Sequence, residues 1–233
     1  MLSPRALILR GPGTNCDQET AYAFERAGGH TKRIHVQALA QSPSLLDDFQ
    51  IFCIPGGFSY GDDIASGRIL ALELTERLGD TLRRFHERGG LVLGICNGFQ
   101  ILIESGLLDG ALMRNSSLSF ICRDILIKSK NQDSIFTKNS KVAKMPIAHN
   151  EGNFFATAEQ LKKIQDNDQI AFQYCDENGN IDVRSNPNGS LENIAGILNG
   201  NKNVLGMMPH PERAAELAHG CEDGKNIFES ILN

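Results

Sequence analysis

Short apolar runs alternate with longer amphipathic stretches through the first half of the chain. Ala6–Leu9, Ile34–Val36, Ile51–Ile54 and Leu91–Ile95 are apolar and rich in β-branched residues, as strands buried on both faces require. Between them, Asp17–Ala27 and Ile69–Glu87 carry apolar residues three and four apart, the spacing that places them on one face of a helix. Gly28-Gly29 and Gly89-Gly90 stand just past these stretches, where a helix ends on a left-handed residue. The alternation predicts β-α-β units and an α/β fold with a mostly parallel sheet flanked by helices.

The second half is less regular. Strands are predicted at Phe120–Ile127, Met145–Ala148, Ile170–Tyr174, Ile194–Leu198 and Val204–Met208, and a closing helix over Gly224–Leu232. Asp176-Glu-Asn-Gly-Asn180 and Asn186-Pro-Asn-Gly-Ser190 are turn sequences, and Asn199-Gly-Asn-Lys-Asn203 joins two apolar runs as a hairpin. With no internal repeat, low-complexity tract or linker, residues 1–233 are expected to form a single domain. Ser129–Lys144, rich in Lys, Asn, Gln and Ser, reads as a polar excursion facing water, the alternative being an interface.

Composition narrows the partners more than the fold. With a formal charge of -5 over 233 residues, 41% hydrophobic and 22% charged, the chain lacks the basic surplus that nucleic acids or anionic membranes select. Cys16, Cys53, Cys96, Cys122, Cys175 and Cys221 are scattered without a C-x-x-C pair, the pattern of reduced thiols and not of a zinc or disulfide framework. The N-terminal apolar run, Ala6–Leu9, is far short of a signal-peptide core or a membrane span, and a cytoplasmic protein is expected.

Chemistry concentrates in Leu91-Val-Leu-Gly-Ile-Cys-Asn-Gly-Phe-Gln-Ile-Leu102. A strand runs into Gly94-x-Cys96-x-Gly98 and then into an apolar helix, the context of a nucleophile elbow, in which the turn crowds the flanking side chains and strains the nucleophile's backbone. A helix N-terminus behind the sulfur favours thiolate over thiol. The plain alternative is a buried core cysteine.

A nucleophilic thiol needs a base. His30, His35, His86 and His219 have no acidic residue placed to orient them; His149, in Pro146-Ile-Ala-His-Asn-Glu-Gly152, follows a short strand and is a weaker candidate for contacting a ligand. His210 lies in Met208-Pro-His-Pro-Glu-Arg213, two residues before Glu212. In an extended segment those side chains share a face, so Glu212 is placed to orient one ring nitrogen while the other faces Cys96. The glycine-rich turn Ile54-Pro-Gly-Gly-Phe-Ser-Tyr-Gly-Asp62 leaves backbone N–H groups uncovered, and Gly57 with the N–H of Asn97 is the candidate oxyanion hole. The alternatives are a surface turn and an ordinary strand-to-loop turn.

Taken in order, Pro55-Gly-Gly57, Gly94-x-Cys96-x-Gly98-x-Gln100 and His210-Pro-Glu212 resemble the class I (triad-type) glutamine amidotransferases. Gly13-Thr-Asn-Cys-Asp-Gln-Glu19, Phe58-Ser-Tyr-Gly-Asp-Asp63, Asn115-x-Ser117-x-x-Phe120 and Asp223-Gly224 look like the glutaminase subunits of phosphoribosylformylglycinamidine synthases, and the likeness runs from end to end. The resemblance implies a flavodoxin-like sheet with the elbow at its centre. It implies that Cys96 attacks the amide of L-glutamine, that His210 carries the proton to the departing ammonia, that Glu212 orients His210, and that water cleaves the thioester. It matches Gln100, Asn115 and Ser117 to glutamine-binding positions. It also implies a separate synthetase subunit, with or without a small third subunit, that uses the ammonia in an ATP-dependent amidation of formylglycinamide ribonucleotide.

The chain agrees by omission, since it lacks a G-x-x-x-x-G-K-[ST] phosphate loop and its length leaves no room for a synthetase domain. No cofactor or metal is expected on this chain; ATP and Mg belong to the partner. The rival readings are a glutaminase of another pathway, an elbow-cysteine hydrolase or redox sensor, and a scaffold that has lost its chemistry. The Phe58–Asp63 loop speaks against the first, Gln100 together with His210-Pro-Glu212 against the second, and the complete triad against the third.

Overall fold

A computed structural model describes residues 4–138 and 142–233. In chain order its elements are β1 (Arg5–Arg10), α1 (Asp17–Arg26), β2 (His30–His35), α2 (Val36–Gln41), β3 (Ile51–Ile54), α3 (Arg68–Glu87), β4 (Leu91–Ile95), α4 (Asn97–Glu104), β5 (Ala111–Met113), β6 (Ile121–Ser129), β7 (Val142–His149), β8 (Asn153–Phe155), α5 (Ala158–Asp166), β9 (Ile170–Cys175), β10 (Ile194–Leu198), β11 (Val204–Met207) and α6 (Lys225–Leu232). One sheet has the order β2-β1-β3-β4-β11-β10-β9-β6-β7; β5 and β8 form a separate antiparallel pair.

The first five strands in that order run parallel, and the remaining four continue antiparallel. In the parallel half β3 and β11 are buried along their whole length because helices cover both faces. Phe24 of α1 meets Phe228 of α6 edge-on at 4.9 Å, and Phe52 of β3 meets Phe85 of α3 at 6.4 Å. A fully buried phenylalanine contributes about 1.5–3 kcal/mol, so the first pair joins two helices and the second fixes α3 to the sheet. The antiparallel half alternates instead: β7 reads exposed, buried, exposed, buried from Val142 on, as a strand packed on one face does.

Several sequence-based boundaries move. β2 is His30–His35, not Ile34–Val36, because it is a polar edge strand in which only Ile34 is buried; Lys32 and Arg33 guard that edge. Val36 opens α2, with the His35 ring accepting from the Gln37 N–H at 3.3 Å. β6 and β7 extend beyond Phe120–Ile127 and Met145–Ala148 through mutual pairing. Helix α5 escaped the pattern although Thr157 and Gln160 form a capping box. The Asn199–Asn203 hairpin is present, its turn closed by Asn199 Oδ1 accepting from the N–H groups of Asn203 and Val204.

In the described part of Ser129–Lys144, residues 129–138 do not form the water-facing excursion their composition suggests. Asn131, Ser134, Phe136 and Thr137 are buried, and Asn131 donates to the Asp168 carbonyl at 2.8 Å while accepting from the N–H groups of Asp133 and Ser134. The polar side chains satisfy backbone groups of a tucked-in turn. Residues 139–141 lie outside the described residues, as do residues 1–3 of the N-terminal segment. Among the described residues no helix is long and apolar enough to cross a membrane.

Candidate active site

The loops leaving the carboxyl ends of β1, β3, β4 and β11 are neighbours because those strands are neighbours. Open α/β sheets place their binding crevice there. With Phe120 and Ala148 of the antiparallel half, these loops enclose a cavity of about 200 Å³ lined by Asn15, Cys16, Gly57, Phe58, Cys96, His210 and Arg213.

At the elbow Cys96 adopts φ 51° and ψ -105°, a strained conformation for a residue with a Cβ. Its N–H donates to the Met207 carbonyl at 2.7 Å, which ties β4 to β11. The two flanking glycines are steric necessities. A Cβ on Gly98 would lie 1.9 Å from the Ile54 carbonyl oxygen, and one on Gly94 would lie 2.5 Å from Leu102 and 2.7 Å from the Gly98 oxygen. Helix α4 starts immediately after the sulfur-bearing residue.

His210 leaves β11 in extended conformation, with its N–H bonded to the Pro146 carbonyl at 2.9 Å. The chain then turns at Pro211 into a short 3-10 segment, Pro211–Ala214, so Glu212 does not continue the extended run. The pair forms nonetheless: His210 Nδ1 donates to Glu212 Oε1 at 2.6 Å, with His210 2% and Glu212 0% exposed. Burial alone would lower the His210 pKa. The carboxylate beside it and the Cys96 and Cys16 sulfurs outweigh that, and the imidazole is held well above its ordinary value. His210 Nε2 has no hydrogen-bond partner. The structure thus brings Cys96, His210 and Glu212 together.

Gly57 lines the cavity with φ 153°, and a Cβ on it would lie 2.7 Å from the Gly13 oxygen. The Phe58 N–H donates to that oxygen at 2.9 Å, pinning the 55–58 turn to the loop after β1. Asn97 supplies the first N–H of α4, which has no partner within the helix. Both proposed donors therefore border the elbow.

The residues matched to glutamine binding are engaged with neighbouring groups of the protein. Gln100 accepts from the Asn97 amide at 2.9 Å and donates to the Glu151 carbonyl at 2.7 Å. Asn115 is fully buried; it donates to the carbonyls of Ser119 and His149 and accepts from the Gly152 N–H. Ser117 Oγ accepts from the Ser119 N–H at 3.4 Å. None of the three lines the cavity, because their polar atoms hold the surrounding loops in place.

Two residues gain a place that the sequence pattern did not give them. His149 is buried with Nδ1 3.0 Å from Asn115 Oδ1; burial, aided by the nearby His210 charge, pushes it down to about 4, so it is neutral and Nδ1 is the donor. Cys16 lines the cavity, 3.2 Å from an Arg213 nitrogen and 3.1 Å from Asn15 Oδ1. It belongs to the Gly13–Glu19 motif, whose spacing alone says nothing about proximity to His210.

Residues 3–222 match the model of the CobB/CobQ-like glutamine amidotransferase domain. The chain is 44% identical to the phosphoribosylformylglycinamidine synthase subunit PurQ of Pelagibacter ubique, with 97% of each chain covered. It is 47% identical to the subunit of the same name from Chlorobium chlorochromatii, covering 95% of this chain and 93% of that one. Among solved structures it superposes on a chain of PurLQS from Thermotoga maritima with a TM-score of 0.84 and 39% identity, covering 100% of this chain and 99% of that one. A glutamine amidotransferase from the same organism, 12% identical with a TM-score of 0.62, shares the fold and covers 100% and 97% of the two chains.

Proposed function

The chain belongs to the CobB/CobQ-like glutamine amidotransferase family, and we propose that it is the glutaminase subunit of a phosphoribosylformylglycinamidine synthase. It hydrolyses L-glutamine and delivers the ammonia to a separate synthetase, which converts formylglycinamide ribonucleotide to formylglycinamidine ribonucleotide with ATP and Mg2+ bound on that partner. A small third subunit completes the assembly, as the three-part name of the Thermotoga maritima complex suggests. The reaction belongs in the cytoplasm. The observation that carries the reading is a strained cysteine sharing a cavity with a histidine that a buried carboxylate locks at 2.6 Å.

In this reading the reactive state is the Cys96 thiolate facing an imidazolium on His210. The sulfur adds to the side-chain carbonyl carbon of glutamine, and the oxygen takes up negative charge between the N–H groups of Gly57 and Asn97. A single such donor is worth about 10²–10³ in rate. The tetrahedral adduct collapses as the imidazolium gives its proton to the amide nitrogen, so the C–N bond breaks and ammonia leaves a glutamyl thioester. Neutral His210 then takes a proton from water as the water attacks the thioester. Glutamate departs, and thiolate and imidazolium are restored. Glu212 keeps the Nδ1 proton in place throughout, leaving Nε2 as the nitrogen that exchanges protons with substrate.

Treatment with a glutamine-mimicking electrophile, read by peptide mass spectrometry with the synthetase present, should modify Cys96 alone and should be blocked by glutamine. Cys96→Ala should abolish glutamine-dependent amidation by the complex while ammonia-dependent amidation persists. Modification spread over several thiols without glutamine protection defeats the assignment. Because free hydrolysis wastes glutamine, the subunit alone should turn over slowly, and glutaminase rates indifferent to synthetase and its substrates would count against coupling.

A further inference from the structure

Recognition of the free amino acid is the part of the reaction that the triad leaves unassigned. Glutamine is a zwitterion, and a carboxylate taken out of water without a partner is costly, so its α-carboxylate needs a cation in the site. Gln100 and Asn115 engage backbone carbonyls and do not line the cavity. Among the described residues that do line it, Arg213 is the one side chain charged in every protonation state. At about 200 Å³ the cavity is smaller than the ~300–1,000 Å³ of sites for drug-sized ligands, a size for one small amino acid. The segment that carries the triad also places Arg213. Its backbone N–H donates to the His210 carbonyl at 3.2 Å within the short Pro211–Ala214 turn. Gly224 packs against that turn: its N–H donates to the Ala214 carbonyl at 2.8 Å, and a Cβ on it would lie 2.2 Å from the Pro211 oxygen. The backbone under Arg213 is therefore fixed relative to the imidazole.

The Arg213 Nη2 donates to the Cys16 sulfur, a weak acceptor, and to Glu19 Oε1, both at 3.2 Å. Among the described residues Nε and Nη1 have no partner, and Glu19, itself partly exposed, does not line the cavity. Beside them Asn15 Oδ1 accepts from the Cys16 thiol at 3.1 Å and keeps a second lone pair. We propose, on the glutaminase reading above, that Arg213 determines specificity for the charged end of the substrate: its unpartnered N–H groups receive the α-carboxylate of glutamine, and Asn15 Oδ1 accepts from the α-ammonium. A guanidinium presents two parallel N–H groups to a carboxylate, which fixes the amino-acid end while the side-chain amide reaches Cys96. Primary amides without that carboxylate, α-amidated glutamine among them, are then poor substrates.

L-Glutamine and its α-amide, L-glutaminamide, carry the same side-chain amide and differ at the α-carboxyl group, so the pair isolates the contact. Hydrolysis of each is measured with the synthetase present, as ammonia released and product identified by chromatography. The parent should prefer glutamine in kcat/KM by about 10–100-fold, the worth of one charge-assisted hydrogen bond, and the preference should lie mainly in KM. In Arg213→Met the preference should shrink to about threefold or less, through a raised KM for glutamine. A merely structural Arg213 would slow both substrates alike and leave the ratio where it was. Arg213→Gln, neutral but polar, should show the same collapse, so the outcome does not hang on the folding of one variant. A ratio retained in either active variant, or a parent without preference for glutamine, overturns the inference while leaving the Cys96 labelling and the proposed function intact. A parent that hydrolyses neither amide overturns both.

Discussion

Replacing His149 by Asn removes a buried titratable group while retaining a side-chain donor able to reach Asn115. Burial is the main reason His149 is pushed down to about 4, and the charge on His210 adds to it. In the unfolded chain the ring titrates near 6.5. Between these values the unfolded state binds more protons than the folded state, so stability rises with pH. The contribution is complete above about pH 6.5 and is lost as the pH falls toward about 4. The gap of 6.5 - 4 = 2.5 units, at 1.36 kcal/mol per unit, amounts to about 3 kcal/mol. At neutral pH the variant should be less stable by about 1–3 kcal/mol, because the ring fills space that Asn does not. Urea unfolding of both proteins at about pH 7.5 and about pH 4 checks the linkage: the parent should lose about 3 kcal/mol more than the variant across that interval. Equal losses would show that His149 is not the neutral buried group described here. The same protonation places an unpartnered N–H on the buried Nε2 of His149 and sets a second positive charge near His210, so parent glutaminase activity should fall over the same acid range.

Three other perturbations follow from particular contacts. Gly98→Ala drives a Cβ to 1.9 Å from the Ile54 oxygen, so stability should fall by about 1–3 kcal/mol and glutaminase kcat by at least about 100-fold as Cys96 is displaced; unfolding and activity assays read both. Glu212→Gln removes the charge that raises the His210 pKa, so glutaminase activity should drop by about 10²–10⁴ and the alkaline limb of its pH profile should move to lower pH; an unmoved limb contradicts the assigned pair. Asp17→Asn should cost about 1–2 kcal/mol in urea unfolding: its buried carboxylate binds Arg10 at 2.8 Å and Arg33 at 3.0 Å, but both arginine side chains are partly exposed and screened by water.

What the sequence reveals here depends on how local the cause is. The elbow is readable because the clash that demands Gly94 and Gly98 involves neighbouring residues and a strand edge, and His210 with Glu212 because a single residue separates them. β3 and β4 are readable because burial on both faces leaves a nearly continuous apolar run, whereas polar β2 hides behind its exposed edge. Cys16 meets His210 only through the adjacency of β1, β3, β4 and β11, which no spacing in the chain encodes. Gln100 and Asn115 show the opposite limit. Their positions are recognisable, but whether a buried amide points at a ligand or at a backbone carbonyl is decided by loops distant in sequence, and here both amides serve backbone groups.

The antiparallel half of the sheet is what turns an open crevice into an enclosed site. β7 is four places from β11 in the strand order, and at 4.7–4.9 Å per strand a flat sheet would hold the two roughly 19 Å apart. Yet the Pro146 carbonyl of β7 accepts from the His210 N–H at 2.9 Å, and the Ala148 carbonyl lies 3.6 Å from the Cys96 sulfur. The sheet must therefore curl back over the ends of its own parallel strands. The register shifts between β9 and β10 around Gly196 supply a bend, since an irregular ladder twists more sharply than a regular one. Gly196 has little room for a side chain, as a Cβ there would lie 2.8 Å from the Gly206 oxygen. Curling brings His149 and the 149–152 turn against the elbow, where they bind Gln100 and Asn115. The loops that hold the nucleophile are thus fixed from both ends of one sheet: the parallel half presents Cys96 and His210, and the antiparallel half closes on them through backbone carbonyls that tolerate many side chains.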